Sequence, residues 1–276
     1  MALPCPATPD AFVVSAPAPR RPTVVTITTG SVSVDVTETD QHSLLADLAD
    51  RLSRGIGFTV ATLNFDHLVK LGRDPAFRES YARHTHVTAD GRPITWLSRL
   101  ARGAVGLVTG ADLVEPLVEH AARGGHPIAM IGTTEQNLRR ASDQLQARHP
   151  GLTIAARISP PFGLHPDSDA AMAAVDDAVI AGAELIFLAF GAPCQERIAA
   201  RASERYPQIG FVSVGAGIDF IAGGQTRAPR WVRRLGVEWA WRVVQEPRRL
   251  GPRYVDCLLL LPKTAFATGL RFKATP

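Results

Sequence analysis

Several short segments of this chain place small or polar residues where an apolar run stops. They are Thr62-Leu63-Asn64, Asp90-Gly91, Thr109-Gly110-Ala111-Asp112, Ile131-Gly132-Thr133, Gly191-Ala192-Pro193-Cys194-Gln195-Glu196 and Gly215-Ala216-Gly217-Ile218-Asp219. A carboxylate in such a position, Asp90, can take a proton from an attacking hydroxyl. Asp90-Gly91 is equally the composition of a plain turn. Thr62 and Asn64 flank a second such edge, where Asn64 also suits an N-cap, the more economical role. Gln195 falls in the first turn of a helix opened by Pro193, where free backbone N–H groups suit a diphosphate and a side-chain amide adds one more bond. The neighbouring Glu196 reads as a complement to the helix dipole. Asn64, Gly110, Asp112, Gly132, Gly191, Gln195 and Asp219 form the candidate substrate-binding set.

Three other patterns carry less. Gly215-Ala216-Gly217 opens like a dinucleotide fingerprint, but Phe220 stands where a third small residue belongs, and Glu238 falls in a Trp/Arg-rich stretch. Asp167-Ser168-Asp169 has the form of a metal-binding Asp-x-Asp, yet it directly precedes an Ala-rich helix and reads as a capping segment. His84-Thr85-His86 could show two imidazoles on one strand face, but no third ligand accompanies them. Neither a metal nor a cofactor is called for.

The elements that would position these residues alternate along the chain. Thr23–Thr37 alternates β-branched residues around Gly30, a β-hairpin. Strands are expected at Phe58–Leu63, His86–Ala89, Pro127–Ile131, Leu152–Arg157, Glu184–Phe190 and Gly210–Val214. Helices are expected over Asp40–Arg54, from Asn64, and over Pro93–Arg102, Ala111–Arg123, a segment ending at His149, Ser168–Ala181 and Pro193–Arg205. Apolar strands separated by helices predict an α/β fold with a mainly parallel sheet covered on both faces. Ligands of such sheets gather at the carboxyl ends of the strands, where the segments above stop. The pattern changes after Gly224 to a Trp- and Arg-rich helical appendage. The chain thus divides into a Pro/Ala-rich lead-in (1–22), an α/β domain (23–224) and the appendage (225–276).

Composition narrows the classes further. Hydrophobic residues make up 46% and charged residues 20% of 276, enough for a large core and too apolar for disorder. Cys5, Cys194 and Cys257 form no paired motif, which argues against a disulfide framework or thiolate zinc site and for a reducing compartment. The net charge of +4 hides +8 from residue 227 onward against −4 before it, so the tail expects an anionic partner: a phosphate-bearing substrate, a membrane surface or nucleic acid. The opening residues lack a signal-peptide pattern, and the apolar run Val255–Leu261 is far short of a membrane span.

In order, Thr62-Leu63-Asn64, Ala89-Asp90-Gly91-Arg92-Pro93-Ile94, Val108-Thr109-Gly110-Ala111-Asp112-Leu113 and Gly191-Ala192-Pro193-Cys194-Gln195-Glu196 resemble the WecG/TagA/CpsF family of bacterial glycosyltransferases (family 26). Val214 to Phe220, Ala222-Gly223, Arg227-Ala228-Pro229, Glu238-Trp239 and Glu246-Pro247-Arg248-Arg249 continue the resemblance, which runs from about Thr26 to Tyr254. It implies a Rossmann-like domain with a C-terminal appendage that completes the active site at the membrane. It implies inverting, metal-independent transfer from a UDP-sugar to an undecaprenyl-diphosphate-linked sugar, with donors of the N-acetylmannosamine, glucuronic acid or glucose type. By the same resemblance Asp90 is the general base, Thr62 a conserved partner, and Gln195 a nucleotide contact. Arginines of the appendage, among them Arg227, Arg234 and Arg242, face substrate. Two positions depart from the family pattern: Cys194 and Leu107 stand where basic residues are usual.

The expected partners are therefore the UDP-sugar, the polyprenyl-diphosphate acceptor and a membrane surface, with no nucleic acid and with self-association left open. The expected location is cytoplasmic, peripheral on the inner face of the cytoplasmic membrane. An NAD-dependent oxidoreductase resting on Gly215-Ala216-Gly217, and a non-catalytic scaffold of polysaccharide assembly using the basic tail, are the competing readings.

Overall fold

The computed structural model describes residues 25–29, 32–38, 40–100, 105–225, 228–229, 232, 241, 243–244 and 271–274. In chain order the elements are β1 (Val25–Thr29), β2 (Val32–Val36), α1 (Gln41–Ser53), β3 (Phe58–Leu63), α2 (Phe65–Arg73), α3 (Pro75–Arg83), β4 (His86–Ala89) and α4 (Arg92–Leu100). They continue with α5 (Gly110–Gly124), β5 (Ile128–Gly132), α6 (Glu135–Arg148), β6 (Ile154–Ile158), α7 (Asp169–Ile180), β7 (Leu185–Ala189), α8 (Cys194–Arg205), β8 (Gly210–Ser213), α9 (Gly217–Ile221) and β9 (Arg271–Ala274).

Six strands form one all-parallel sheet in the order β4-β3-β8-β7-β5-β6. β3, β4, β5, β7 and β8 are buried at every position, as strands covered on both faces must be. Phe58 and Val60 of β3 pack in a core with Leu44, Leu48, Leu113, Leu117 and Leu138, from α1, α5 and α6. Ala61 and Leu63 face the other way, into a core with Leu68, Phe77 and Tyr81 of α2 and α3. On that same side, Ile186 and Phe211 pack with Val175, Ile198 and Ala202 of α7 and α8. This is the parallel α/β sheet that the alternating pattern predicts, in the Rossmann-like architecture that the resemblance implies.

Helix starts are written locally. Asp40, Asn64, Asp74, Thr109, Thr134 and Ser168 each accept a hydrogen bond from a first-turn N–H, an arrangement worth about 1 kcal/mol per cap. The long α5 contains Pro116, which cannot donate to the Asp112 carbonyl one turn back. The Gln41 side chain fills that role, its Nε2 donating to Asp112 O at 3.1 Å. A break in α5 is thereby turned into a link to α1.

Four points differ from the expectations. The helix expected from Asn64 is two, parted at Asp74-Pro75, because proline begins a helix more readily than it continues one. Pro93 is the second residue of α4, not the first. The segment Thr109–Asp112, grouped with the strand ends, follows no full strand: Leu107 makes a single parallel bridge to Ala89. The tail is not wholly helical, since β9 pairs antiparallel with β1 and turns the predicted hairpin into the three-stranded sheet β2-β1-β9. Between residue 225 and β9, helical backbone is described at Val232, Trp241, Val243 and Val244. The lead-in (1–22) lies outside the described residues. Among the described residues, no helix is long and apolar enough to cross a membrane.

Candidate active site

The strand order reverses direction twice. β3 connects outward to β4 while β8 runs on into α9, which packs on α5 and α6; β5 connects outward to β6 while its neighbour β7 connects back to β8. Each reversal opens a crevice at the carboxyl ends of the strands, the usual ligand position in such sheets. The residues around the two crevices form two clusters joined through α8.

The first cluster surrounds the ends of β3 and β4. Their register sets Thr62 opposite Thr88 and Leu63 opposite Ala89, so Asn64 and Asp90 leave the sheet side by side. The Asp90 N–H donates to Leu63 O at 2.8 Å, carrying the ladder one residue past the strands. Asp90 is half-buried, and the chain turns at once through Gly91 (φ +96°) into α4. Beneath lies Tyr81, whose hydroxyl donates to Thr62 O at 3.1 Å. That hydroxyl also meets His67 Nδ1 at 2.7 Å, so His67 must donate from Nδ1. Burial raises the Tyr81 phenol well above its ordinary value, and the charges of Glu196, Asp90 and Asp66 push it the same way. Tyr81 is therefore held neutral, a fixed prop under the backbone of Thr62.

Asp66 and Lys70, one turn apart on α2, pair at 2.8 Å, and the Lys70 ammonium also donates to Ala192 O at 2.8 Å. The loop after β7 is thus fastened to α2. Its next residues open α8, whose N-cap position, Pro193, offers no side-chain bond to the first-turn N–H groups. Gln195 is 4% exposed and Glu196 fully buried. Gln195 Nε2 donates to Glu196 Oε1 at 2.8 Å, and Gln195 Oε1 accepts from the Gly215 N–H at 2.9 Å. Burial pushes the Glu196 carboxyl up to about 7, opposed by the bond from Gln195 and the charge of Lys70. Its Oε2 has no hydrogen-bond partner.

The second cluster lies at the end of β5. A side chain on Gly132 would meet Ala189 O at 2.4 Å, so only glycine lets β5 and β7 stay paired this far. Thr133 then takes φ +45°, rare for any side chain and more so for a β-branched one. It is held by its surroundings. Its hydroxyl donates to Asp219 Oδ1, which also accepts from Asn137 Nδ2 at 2.7 Å, while the Ser159 hydroxyl donates to Thr133 O at 2.7 Å. Non-glycine residues fixed in such conformations gather at functional sites.

Set against the sequence-based candidates, Thr62, Asn64, Asp90, Gly132, Gly191, Gln195 and Asp219 all stand on this one edge. Asn64 does cap α2, its Oδ1 accepting from the His67 N–H at 3.0 Å. Asp112 closes a capping box: the Thr109 hydroxyl donates to its carboxylate at 2.7 Å, and its own N–H donates back at 3.2 Å. Gly110 is needed for close approach, since a side chain there would come within 2.5 Å of Ser213 O. Gly191 is exposed and faces open space. Arg227, Arg234 and Arg242 lie outside the described residues, as does Glu238 of the nucleotide-fingerprint reading.

The alternative ligand patterns have structural work. Ser168 caps α7 and Asp167 pairs with Arg197. His84 and His86 lie at the opposite, amino end of β4; His84 Nδ1 bonds Ser80 O, and His86 bonds Thr85 and Asp47. Cys194 is a thiol pushed up to about 11 by burial, unsuited to stand in for a cation.

Residues that sequence reasoning passed over are Lys70, Tyr81, Asn137, Arg92 and the role of Glu196. The Asp66/Lys70 spacing of four was a usable signal. Arg92, next but one to Asp90, is half-buried at the site edge, and its Nε has no hydrogen-bond partner among the described residues.

The edge therefore presents a strand-end carboxylate, a helix N-terminus without a side-chain cap from Pro193, glycine-lined backbone and the Arg92 side chain with its unbonded Nε. Such a set can deprotonate a hydroxyl and receive a developing phosphate charge. The model of the glycosyl transferase WecG/TagA/CpsF family matches residues 30–274, almost the whole chain, and the protein belongs to that family of glycosyltransferases.

Proposed function

We propose that the protein is an inverting, metal-independent hexosyltransferase that moves a sugar of the N-acetylmannosamine, glucuronic acid or glucose type from a UDP-sugar to a polyprenyl-diphosphate-linked saccharide. The product enters cell-surface polysaccharide, exopolysaccharide first among the choices. The observation that carries this reading is Asp90: a half-buried carboxylate leaving the sheet beside Asn64 and Thr62, in a chain of a glycosyltransferase family.

In this reading Asp90 takes the proton of the acceptor hydroxyl as its oxygen attacks the anomeric carbon from the face opposite UDP. The bond from that carbon to the diphosphate oxygen breaks, and the electron pair leaves with UDP. The charge it carries is met by the uncapped first turn of α8, and by Arg92 together with tail arginines such as Arg227, Arg234 and Arg242. Asp219 and Thr133, at the neighbouring crevice, bind the nucleoside side of the donor.

The tail also bears on where the enzyme works. Trp231, Trp239 and Trp241 alternate with arginines in a segment of net charge +8, and each basic residue near an anionic bilayer contributes about 1 kcal/mol of attraction. The enzyme is therefore a peripheral protein of the inner face of the cytoplasmic membrane, where a polyprenyl acceptor resides. Incubating the protein with a panel of UDP-sugars and a short lipid-diphosphate disaccharide tests the whole reading. Expected is UDP release with a new glycosidic bond of inverted configuration, undiminished by EDTA and lost on truncation at Gly224. Transfer from none of the UDP-sugars would overturn it.

A further inference from the structure

Gln195 and Glu196 are adjacent in the first turn of α8 and both are buried, yet neither points to a role in packing apolar surface. A side-chain amide can sit either way round, and what surrounds it selects the orientation. Here both ends agree. The Gly215 N–H is a fixed donor and demands the amide oxygen; the Glu196 carboxyl offers an acceptor and demands the amide nitrogen. Take away the acceptor at Glu196, and only the Gly215 N–H still holds the amide, which loses the anchor that fixes its oxygen in place.

The consequence reaches three loops. Lys70 fastens the loop after β7 to α2 through Ala192 O. Gln195 fastens the start of α8 to the loop after β8 through Gly215. The ends of β3, β7 and β8 are thus tied into one frame around the first crevice, and Gly215 leads directly into α9 and Asp219 at the second. A buried carboxyl with one unbonded oxygen is a costly thing to keep for helix capping alone.

We propose that Glu196 is a positioning residue: by fixing the amide of Gln195 it clamps the Gly215 loop to α8 and so sets the spacing between the two crevices that the sugar donor spans. This rests on the transferase reading above for its effect on turnover, but not for the clamp itself.

The clamp is measured without substrate, by hydrogen exchange at the Gly215 amide in the full-length protein. Glu196→Leu, which keeps the volume and removes the acceptor, should speed that exchange about tenfold, the scale of one lost hydrogen bond. Gln195→Ala should do the same, and Glu196→Gln, whose carbonyl can still accept, should leave it near wild type. In turnover, Glu196→Leu should lower kcat/KM about tenfold, Glu196→Gln should restore most of it, and Glu196→Leu should add little on a Gln195→Ala background. Unchanged Gly215 protection in Glu196→Leu, or full additivity with Gln195→Ala, overturns the proposal. If Glu196→Leu does not fold, the Gly215 exchange rate in Gln195→Ala decides by the same readout. Absence of transfer by the wild-type protein would instead strike the functional reading, since the exchange measurement stands apart from it.

Discussion

At the amino ends of β3 and β4, Thr59 and Thr85 exchange backbone and hydroxyl hydrogen bonds, and His86 sits between Thr85 and Asp47, which also binds Arg51. At the carboxyl ends of the same two strands and of β5 and β7, a similar mix of hydroxyls, imidazole, carboxylates and cations is arranged differently. There Glu196 keeps an unbonded oxygen, Arg92 an unbonded nitrogen, and Thr133 is bent into the left-handed region. The chemistry of the side chains does not distinguish the two ends. What differs is the backbone: at one end the threonines pair reciprocally within regular strands, at the other the chain bends sharply through Gly91 and Thr133. The first arrangement stabilises, whereas the second costs stability, and strain of that kind gathers at functional sites.

The sharpest way to test that contrast is to damage each end and read two quantities. Asp90→Asn should lower turnover by about 10² to 10⁴, the range for loss of a general base, with little change in melting temperature or UDP affinity. Transfer at the wild-type rate would sink the assignment. His86→Ala, at the other end, should cost about 3 kcal/mol of stability because it empties the space of a fully buried imidazole and strips a partner from half-buried Asp47. Activity per folded molecule should be unchanged. Its pH behaviour follows from Asp47, whose carboxyl is held far below its ordinary 3.8, chiefly by the hydrogen bond from His86. A depressed carboxylate contributes stability that is present above about pH 4 and lost as pH falls below it. The wild type should therefore lose more stability than His86→Ala between pH 4 and pH 2, as read by urea unfolding.

Much of this was legible in the sequence, and the part that was not has a physical cause. Strands Phe58–Leu63 and His86–Ala89 fall where the sequence reading puts them, buried at every position even though Thr59, Thr62, His86 and Thr88 interrupt their apolar residues. The strand-end edge followed from the alternating pattern, and Asp90 stands on it; before a glycine it reads equally as a turn residue, and its role as base came from the resemblance. The links across the edge were not legible. Gln195 to Gly215 and Asn137 to Asp219 join residues 20 and 82 apart in the chain, and no periodicity reports such pairs. Glu196 was read as a dipole complement because its position in the first turn permits that; only burial reveals the other use. β9 was missed because the pairing of Arg271–Ala274 depends on β1 at the far end of the chain.

Glu196 offers a third, smaller test of the same contrast. Its carboxyl is pushed by burial from 4.5 to about 7, so between those values the folded protein holds a proton that the unfolded chain gives up. Stability attributable to this group is therefore complete below about pH 4.5 and declines as pH rises toward 7, by about 3 kcal/mol in all. Glu196→Gln carries no such slope. It should match the wild type near pH 5 and exceed it in melting temperature at pH 8. A wild-type protein as stable at pH 8 as at pH 5, relative to Glu196→Gln, would show that this carboxyl is no liability.

The smallest effect is expected at Thr133, and it separates strain from bonding. A β-branched residue at φ +45° costs about 1–2 kcal/mol relative to a residue free of that restriction. Against this, the Thr133 hydroxyl donates to Asp219, a hydrogen bond to a charged group worth about 1.5–3 kcal/mol when its partner would otherwise be left short. Asp219 keeps its bond from Asn137, however, so the loss should sit at the lower end. Thr133→Gly removes both terms, and the two should nearly cancel, leaving stability within about 1 kcal/mol of wild type. Thr133→Asn keeps a polar side chain in a residue that tolerates this backbone, and should be the more stable of the pair. If the bend exists to aim Asp219 and the Gly132–Thr133 backbone at the donor, Thr133→Gly should raise KM for the UDP-sugar more than it lowers kcat. A stability loss above about 3 kcal/mol with unaltered KM would place Thr133 with the His86 end of the sheet, as a structural residue whose strain serves only the fold.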